Sequence, residues 1–200
     1  MRLILASRSP RRAALLTQMG LHFETRAADV DESRLPQEPP ADYVLRLARS
    51  KAAAVFAELG SARGTADAVV LGADTVVVLD DRVLGKPTDG ADAVAMLRAL
   101  AGRTHRVMTG VVVRTAQGER SECVTSEVTF SDIESWEAEA YWRTGEGADK
   151  AGGYGIQGIG GIFVVSLCGS YSAVVGLPLA ETERLLRACG IETWHERSHG

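Results

Sequence analysis

The chain has 200 residues, 46% of them apolar and 24% charged, which is typical of a globular protein with one domain or two small lobes. Its formal net charge of −4 argues against non-specific nucleic-acid binding, which favours a basic surface, but leaves room for a small basic pocket. Three cysteines without CxxC spacing indicate a reducing compartment and argue against a zinc site or a disulfide framework.

Neither a signal peptide nor a membrane span is predicted. The apolar stretch at residues 3–6 is too short for either, and arginines follow it at once. We therefore expect a cytoplasmic protein that does not contact the membrane.

The first predicted element is a strand over residues 3–6, followed by a helix that ends near Met19. Ser9 is a favourable N-cap and Pro10 a favourable first helical residue, while Gly20 is a typical stop signal.

Two arginines, Arg11 and Arg12, occupy the first turn of this helix, where the helix dipole disfavours positive charge. A phosphate group would explain them, since free N–H groups, both guanidinium groups and the hydroxyls of Ser7 and Ser9 could hold it. The alternative is that both arginines are solvated and the unfavourable placement is tolerated.

Residues 22–40 are predicted to be irregular, with carboxylates at Asp29, Asp31 and Glu32. On sequence alone the favoured interpretation is a solvated loop. The alternative is that one of these carboxylates faces the anion site and helps to hold a divalent cation.

A long helix is predicted over residues 41–59. Lys51 follows Val44 by seven residues and therefore lies on the same inward stripe. Its side chain could bend towards the surface, which is the commoner case, or direct its ammonium group into a site.

The apolar, β-branched run at residues 69–79 predicts a strand buried on both faces, with Asp74 in its middle. An ionised carboxylate there requires a cation, a metal or a set of backbone N–H donors. Residues 80–81 predict a tight turn, after which Lys86 would return on the partner strand.

Thr88 or Asp89 is predicted to cap a helix that ends at Leu100. Two strands follow at residues 103–114 and 119–130, joined by a turn at 117–118. His105, in the first of these strands, has no His or Cys partner at ligand spacing and is interpreted as structural or surface-exposed.

Residues 131–134 match a capping box and predict a helix through Trp142, with Trp136 and Ala140 facing inward.

The glycine-rich run at residues 145–161 would let backbone pass close to a ligand or another chain, but it lacks the order of a P-loop. Its notable polar side chains are those of Lys150 and Gln157. The Gln157 amide offers a donor and an acceptor, which suits a base edge, although a loop glutamine facing water is the commoner case.

The end of the chain is predicted to contain a hairpin formed by residues 162–167 and 171–175. A last helix begins at Pro178, and residues 191–200 form a polar tail that we expect to be frayed.

Several of these segments, in this order, resemble the Maf family of nucleotide pyrophosphatases, also described as septum formation inhibitors. They are residues 6–12, 71–75, 85–87, 150–158 and 174–179, and the order and spacing hold over about residues 2–187. The resemblance implies an α/β fold similar to that of inosine triphosphatases, with a long mixed sheet flanked by helices and an active cleft between two lobes. Residues 1–190 would form this single two-lobed domain.

The resemblance also implies a reaction, which is hydrolysis of a nucleoside triphosphate to its monophosphate and pyrophosphate with Mg²⁺ or Mn²⁺. Asp74 matches the proton acceptor, and the residues that match the triphosphate site are Ser7, Arg11, Arg12, Lys51 and Lys86. Glu32 matches an acidic position more loosely and joins Asp74 as a candidate metal ligand. Both roles, general base and metal ligand, stay open for Asp74.

Three positions are similar to the branch of the family that hydrolyses dTTP and UTP, namely Arg11, Thr75 and Gln157. The branch that acts on 7-methyl-GTP has Trp, Gln and Glu at the matching positions. Gly85 departs from members that carry Glu there, so it is left out of the metal site.

Two alternatives are a non-catalytic regulator of septum formation that binds nucleotides or nucleic acid, and an enzyme whose target is a modified pyrimidine nucleotide. The acidic net charge argues against stable nucleic-acid binding. A pure sensor would also not need a carboxylate among phosphate-binding groups. The resemblance further suggests a homodimer.

Overall fold

The computed structural model describes residues 1–27, 29–60 and 65–194. The strands in this part of the chain are β1 (Arg2–Ala6), β2 (Glu24–Arg26), β3 (Ala68–Leu79), β4 (Arg82–Leu84), β5 (Thr104–Thr115), β6 (Gly118–Phe130) and β7 (Val164–Cys168). The helices are α1 (Pro10–Gln18), α2 (Pro40–Glu58), α3 (Gly90–Leu100), α4 (Ser135–Arg143), α5 (Tyr171–Val175) and α6 (Leu179–Ala188), with short 3₁₀ helices at Ala151–Gly153 and Ile159–Phe163. None of the described helices is long and apolar enough to cross a membrane.

The strands form one mixed sheet in the order β2-β1-β3-β5-β6-β7, and β4 pairs with β3. β1 runs parallel to both β2 and β3, whereas the β3–β4 and β6–β7 pairs are antiparallel. Parallel neighbours need a crossover connection, which α1 supplies between β1 and β2. After β2 the chain passes through α2 before it reaches β3, on the other side of β1. The predicted α/β class with a long mixed sheet is therefore confirmed.

The chain divides into two compact units. The first comprises residues 1–74, 109–124 and 176–200, and its core places α2 against β1 and the start of β3. The second comprises residues 75–108 and 125–175, and its core contains an aromatic cluster. The rings of that cluster are His105, Phe130, Tyr141, Tyr154 and Phe163.

The predicted tight turn after β3 is confirmed. Asp80 and Asp81 both have positive φ, 46° and 64°, and Leu79 lies opposite Arg82 in the register of the hairpin. Two successive left-handed residues give a two-residue turn whose twist matches that of the strands. β4 nevertheless ends at Leu84, so the prediction that Lys86 lies on the partner strand is wrong.

The reason for this early end is local to the second unit. The carbonyl of Gly85 accepts a hydrogen bond from the N–H of Gly152 over 2.9 Å, so it bonds to the glycine-rich run. Pro87 follows two residues later and has no N–H to donate to a ladder.

The predicted capping box at residues 131–134 is wrong. The N–H of Ser131 donates to the carbonyl of Phe163 over 2.8 Å, and α4 begins only at Ser135. Glu134 is the N-cap and exchanges hydrogen bonds with Glu137.

The later start of α4 also changes which of its residues face inward. Ala138 and Tyr141 are buried, whereas Trp136 is 67% exposed and Ala140 is only half-buried.

The predicted hairpin over residues 162–175 is also wrong. β7 pairs with β6, with Val128 opposite Leu167, and residues 171–175 form helix α5. The hydroxyl of Ser170 accepts a hydrogen bond from the N–H of Ala173 over 3.2 Å, which is the cap of that helix.

Two further predictions concern the segment at residues 22–40 and the C-terminal tail. The segment expected to be irregular at residues 22–40 contains the short strand β2, since Ile4 pairs with Glu24 in parallel register. Residues 195–200 of the predicted tail lie outside the described residues.

Candidate functional site

Asp74 lies in the middle of β3 and is only 9% exposed. Its carboxylate accepts a hydrogen bond from Nζ of Lys51 over 2.7 Å, and both side chains are largely buried. A buried carboxylate needs such a partner because desolvating an uncompensated charge is very unfavourable. Of the two orientations that the sequence left open for Lys51, the structure therefore has the inward one.

The same ammonium group contacts a second carboxylate. Nζ of Lys51 lies 2.6 Å from Oε1 of Glu32, whose side chain is 48% exposed. One positive charge is thus shared by two carboxylates, one on a buried strand and one on an irregular segment. The sequence favours a solvated loop for the irregular residues around Glu32. The contact with Lys51 shows that this loop is not purely solvated.

The start of α1 is built as the sequence predicts. The hydroxyl oxygen of Ser9 accepts a hydrogen bond from the N–H of Arg12 over 3.4 Å, and Pro10 is the first helical residue. The buried Ser7 hydroxyl accepts from the N–H of Ser9 and from Nη1 of Arg12, over 3.1 and 3.2 Å. Each hydroxyl still has its own hydrogen to donate to a phosphate oxygen.

Arg12 is also held by the turn between α5 and α6. Its Nε donates to the carbonyl of Gly176 over 2.9 Å. Burial lowers the pKa of Arg12. The carboxylate of Asp74 raises this pKa, the charge of Arg11 lowers it, and the carboxylate of Glu32 raises it. These influences place Arg12 in the electrostatic neighbourhood of Asp74 and Glu32, with Arg11 next to it. An arginine remains protonated in proteins, so this neighbourhood keeps its positive charge.

Strand register explains why α1 starts near Asp74. Leu5 lies opposite Leu71 in the parallel β1–β3 pair. The carboxyl end of β1 is therefore next to the part of β3 that immediately precedes Asp74. The carboxyl ends of parallel strands, followed by helix N-termini, are where α/β proteins bind anions.

Two glycines let α2 lie close to the sheet. A Cβ atom added at Gly72 would overlap the carbonyl oxygen of Ala48 and lie 3.0 Å from the backbone nitrogen of Ala52. A Cβ at Gly110 would lie 2.8 Å from the carbonyl oxygen of Val44. Lys51 is on the turn of α2 that rests on Gly72, so this approach brings its ammonium group within reach of Asp74.

Sequence reasoning missed Tyr43 and Arg46, which precede Lys51 on α2. The Tyr43 hydroxyl donates to the backbone carbonyl of Glu32 over 2.7 Å. Its pKa is raised, first by burial and then by the charges of Asp74 and Glu32. No motif in the sequence indicates these two residues, because their contacts are with a segment that is brought to α2 only by folding.

Three predicted site residues belong to the second unit. Thr75 is half-buried and follows Asp74 directly on β3, while Lys86 is exposed beyond the end of β4. Gln157 is exposed between the two 3₁₀ helices. Their roles in a site with Asp74 stay predictions.

Glu146 organises the run that carries Gln157. Its carboxylate accepts hydrogen bonds from the N–H groups of Ile159 and Gly160 over 2.8 and 2.9 Å, and from the hydroxyl of Tyr141 over 2.8 Å. The Lys150 ammonium group donates to the backbone carbonyl of Glu146. Lys150, singled out from the sequence, therefore supports the loop.

The carboxylate oxygens of Asp74 and Glu32 are ligands that suit a magnesium-type ion. Within the described residues, no group of three or more His, Cys, Asp or Glu side chains could hold a metal ion by itself. Asp74 and Glu32 nevertheless converge on one cationic group, Lys51. Mg²⁺ is commonly held by one or two carboxylates, with substrate phosphates and water as the other ligands, so these two residues fit that pattern.

These features define an α/β protein with a candidate phosphate site made of a helix N-terminus, arginines, a lysine and two carboxylates. The model of the family described as Maf-like protein matches residues 2–189. The chain belongs to the Maf family.

Relatives of similar length are known from bacteria. A dTTP/UTP pyrophosphatase of Hahella chejuensis is 50% identical over 195 residues, covering 98% of this chain and 96% of that protein. A dTTP/UTP pyrophosphatase of Vibrio cholerae is 54% identical over 185 residues, covering 92% and 96%. One of Pseudoalteromonas translucida is 53% identical over 183 residues, covering 92% and 94%.

Proposed function

We propose that this protein hydrolyses dTTP and UTP, releasing pyrophosphate and the nucleoside monophosphate. The observation that carries the proposal is the buried ammonium group of Lys51 between Asp74 and Glu32, near Arg12 at the start of α1. The names of the relatives, each about half identical over nearly the whole chain, support the choice of substrate. A modified pyrimidine triphosphate is an alternative substrate for the same residues.

The reaction needs positive charge around the phosphates and a group that takes up a proton. A water oxygen forms a bond to the α phosphorus while the bond from that phosphorus to the bridging oxygen breaks. Arg11, Arg12 and Lys51 would stabilise the negative charge that develops on the departing pyrophosphate. In one of the two roles open to it, Asp74 accepts the proton that the water loses.

We propose that Asp74 and Glu32 hold a divalent cation, Mg²⁺ or Mn²⁺, when substrate binds. Such an ion would neutralise phosphate charge and polarise phosphoryl oxygens. Lys51 would then move from its place between the two carboxylates towards a phosphate oxygen, because two cations cannot share that position.

Arg11, Thr75 and Gln157 are proposed to select the pyrimidine base, and Lys86 to bind phosphate. The exposed amide of Gln157 can donate and accept, which suits the adjacent donor and acceptor on the edge of uracil or thymine. We also propose a homodimer in the cytoplasm that does not bind nucleic acid stably. The three free cysteines and the net charge of −4 support the last two points.

The test is pyrophosphate release from dTTP, UTP, CTP, ATP, GTP and 7-methyl-GTP, each with Mg²⁺, with Mn²⁺ and with a chelator. We expect release from dTTP and UTP alone, and only with metal. Release from 7-methyl-GTP alone would keep the reaction but overturn the base assignment. Binding without release from any nucleotide would favour a non-catalytic regulator.

The base assignment has its own test in the triple variant Arg11→Trp, Thr75→Gln and Gln157→Glu. This variant carries the residues of the other branch, so its ratio of 7-methyl-GTP to dTTP hydrolysis should rise at least tenfold. An unchanged ratio would show that these positions do not select the base.

A further inference from the structure

The segment of residues 29–38, here called the acidic segment, brings Glu32 to Lys51 although it has little regular structure of its own. Most of its residues are exposed, and Glu38 is buried at 8% exposure. The contact between Glu32 and Lys51 cannot fix the segment by itself, because a half-exposed ion pair contributes little. Something else must hold the backbone.

Arg46 of α2 holds one side of the segment. Its Nε and Nη2 donate to the two carboxylate oxygens of Glu38 over 2.6 and 2.8 Å, a bidentate pair. The same Nη2 donates to the backbone carbonyl of Ser33 over 2.9 Å. The guanidinium group of Arg46 lowers the pKa of Glu38 by hydrogen bonding, so the carboxylate stays ionised at neutral pH.

Tyr43 of α2 holds the preceding residue. Its hydroxyl donates to the carbonyl of Glu32 over 2.7 Å, and the Arg46 guanidinium lies 5.5 Å from the centre of its ring. Two successive carbonyls, those of Glu32 and Ser33, are therefore bonded to neighbouring side chains of one helix. This fixes the backbone at Glu32 and with it the direction of its side chain.

Inside the segment, Glu38 completes the arrangement. Its carboxylate accepts from the N–H of Leu35 over 3.2 Å, and its carbonyl accepts from Nε of Arg34 over 3.0 Å. The segment is thus folded around the same carboxylate that Arg46 binds.

We propose that Tyr43 and Arg46 are positioning residues that anchor the acidic segment to α2 and thereby present Glu32 beside Lys51 and Asp74. The inference rests on the proposed function, in which Glu32 takes part in hydrolysis. Helix α2 then has two roles. It carries Lys51, and it anchors the segment whose Glu32 carboxylate Lys51 contacts.

The test compares Tyr43→Phe and Arg46→Lys with two matched controls. The first variant loses one hydroxyl and keeps the ring, and the second keeps the charge but loses the bidentate fork. Loss of one hydrogen bond should lower kcat/KM for dTTP about fivefold, and loss of the fork should lower it more. The controls are Tyr171→Phe, at an exposed tyrosine, and Arg49→Lys, at another arginine of α2, which pairs with Glu119 of β6. Both should match the parent.

A double-mutant cycle separates positioning from a general loss of stability. In a Glu32→Gln background, Tyr43→Phe and Arg46→Lys should each change kcat/KM less than twofold, because the group they position is already disabled. Effects that multiply in that background, or parent-like kcat/KM in both single variants, would overturn the proposal.

Hydrogen exchange measured by mass spectrometry supplies a readout that does not depend on activity. Arg46→Lys should speed exchange in a peptide covering residues 29–38 and leave peptides of α2 and β3 unchanged. Unchanged exchange in residues 29–38 would overturn the anchoring. If the parent protein hydrolyses no nucleotide, the proposed function fails, while hydrogen exchange still decides whether these two residues anchor the segment.

Discussion

Asp74 combines two properties that rarely occur together, burial within a strand and an ionisable carboxylate. Lys51 makes the combination tolerable because its ammonium group lies 2.7 Å away. The same pairing leaves the carboxylate available for chemistry, since one hydrogen bond occupies only one of its oxygens.

For this residue we predict that Asp74→Asn lowers kcat for dTTP by roughly 10²- to 10⁴-fold, the range of general base catalysis. The amide neither accepts the proton of water nor binds a metal well. Nucleotide affinity should change only a few-fold, measured by calorimetry with a non-hydrolysable dTTP analogue. Asp80→Asn, at an exposed carboxylate paired with Arg103, is the matched control and should retain parent kcat. Parent-like kcat in Asp74→Asn would show that this carboxylate takes no part in the reaction.

Among the elements of the first unit, α2 packs against β1 and the start of β3, and Gly72 and Gly110 permit its close approach to the sheet. We predict that Gly72→Ala lowers the free energy of unfolding by about 2 kcal/mol, because the new methyl group meets helix backbone that cannot move aside. The measurement is urea denaturation, with Gly85→Ala as the stability control, since a Cβ there meets nothing within 4 Å. Equal stability of the two variants would contradict the close approach.

Local signals in the sequence were sufficient for several elements. The start of α1 was predicted from Ser9 and Pro10, and the β3–β4 turn from residues 80–81, because these residues fix backbone geometry by themselves. The buried strand β3 followed from its β-branched run. Each of these predictions rests on neighbours in the chain.

Predictions failed where a distant segment decided the outcome. Ser131 bonds to Phe163 and so does not cap a helix, and β7 pairs with β6, so the predicted hairpin does not form. The same limit applied to the candidate site. Asp74 is singled out by its place in a buried strand and Lys51 by its place on the inward stripe of a helix, but the contacts of Tyr43 and Arg46 with the acidic segment depend on the folded chain and have no motif.

For the molecule as a whole, the core of the second unit contains an unusual titratable group. His105 is 2% exposed, and its Nε2 shares a hydrogen bond with the hydroxyl of Tyr154 over 2.8 Å. Among the described residues its Nδ1 has no hydrogen-bond partner. Burial lowers the pKa of His105 to about 4, so the folded protein keeps the ring neutral.

This burial predicts a pH dependence of global stability. The unfolded chain takes up a proton near pH 6.5 and the folded chain only near pH 4, so stability should fall as the pH drops through that window. The loss should reach up to about 3 kcal/mol, measured by urea denaturation at pH 7.5 and pH 4.5. The double variant His105→Phe/Tyr154→Phe removes the two ring nitrogens and the hydroxyl group and should lack this component. An identical decline in that variant would assign the effect to other groups.

The ammonium group between Asp74 and Glu32 also bears on how the protein reaches its native state. Many small structural zinc proteins stay unfolded until their ion binds, because metal binding supplies the free energy of folding. Here Lys51 of α2 supplies the counter-charge for Asp74 and Glu32, so we expect the first unit to fold in the absence of metal or nucleotide. The polypeptide would then assemble independently of the supply of the ions and substrates that it is proposed to use afterwards.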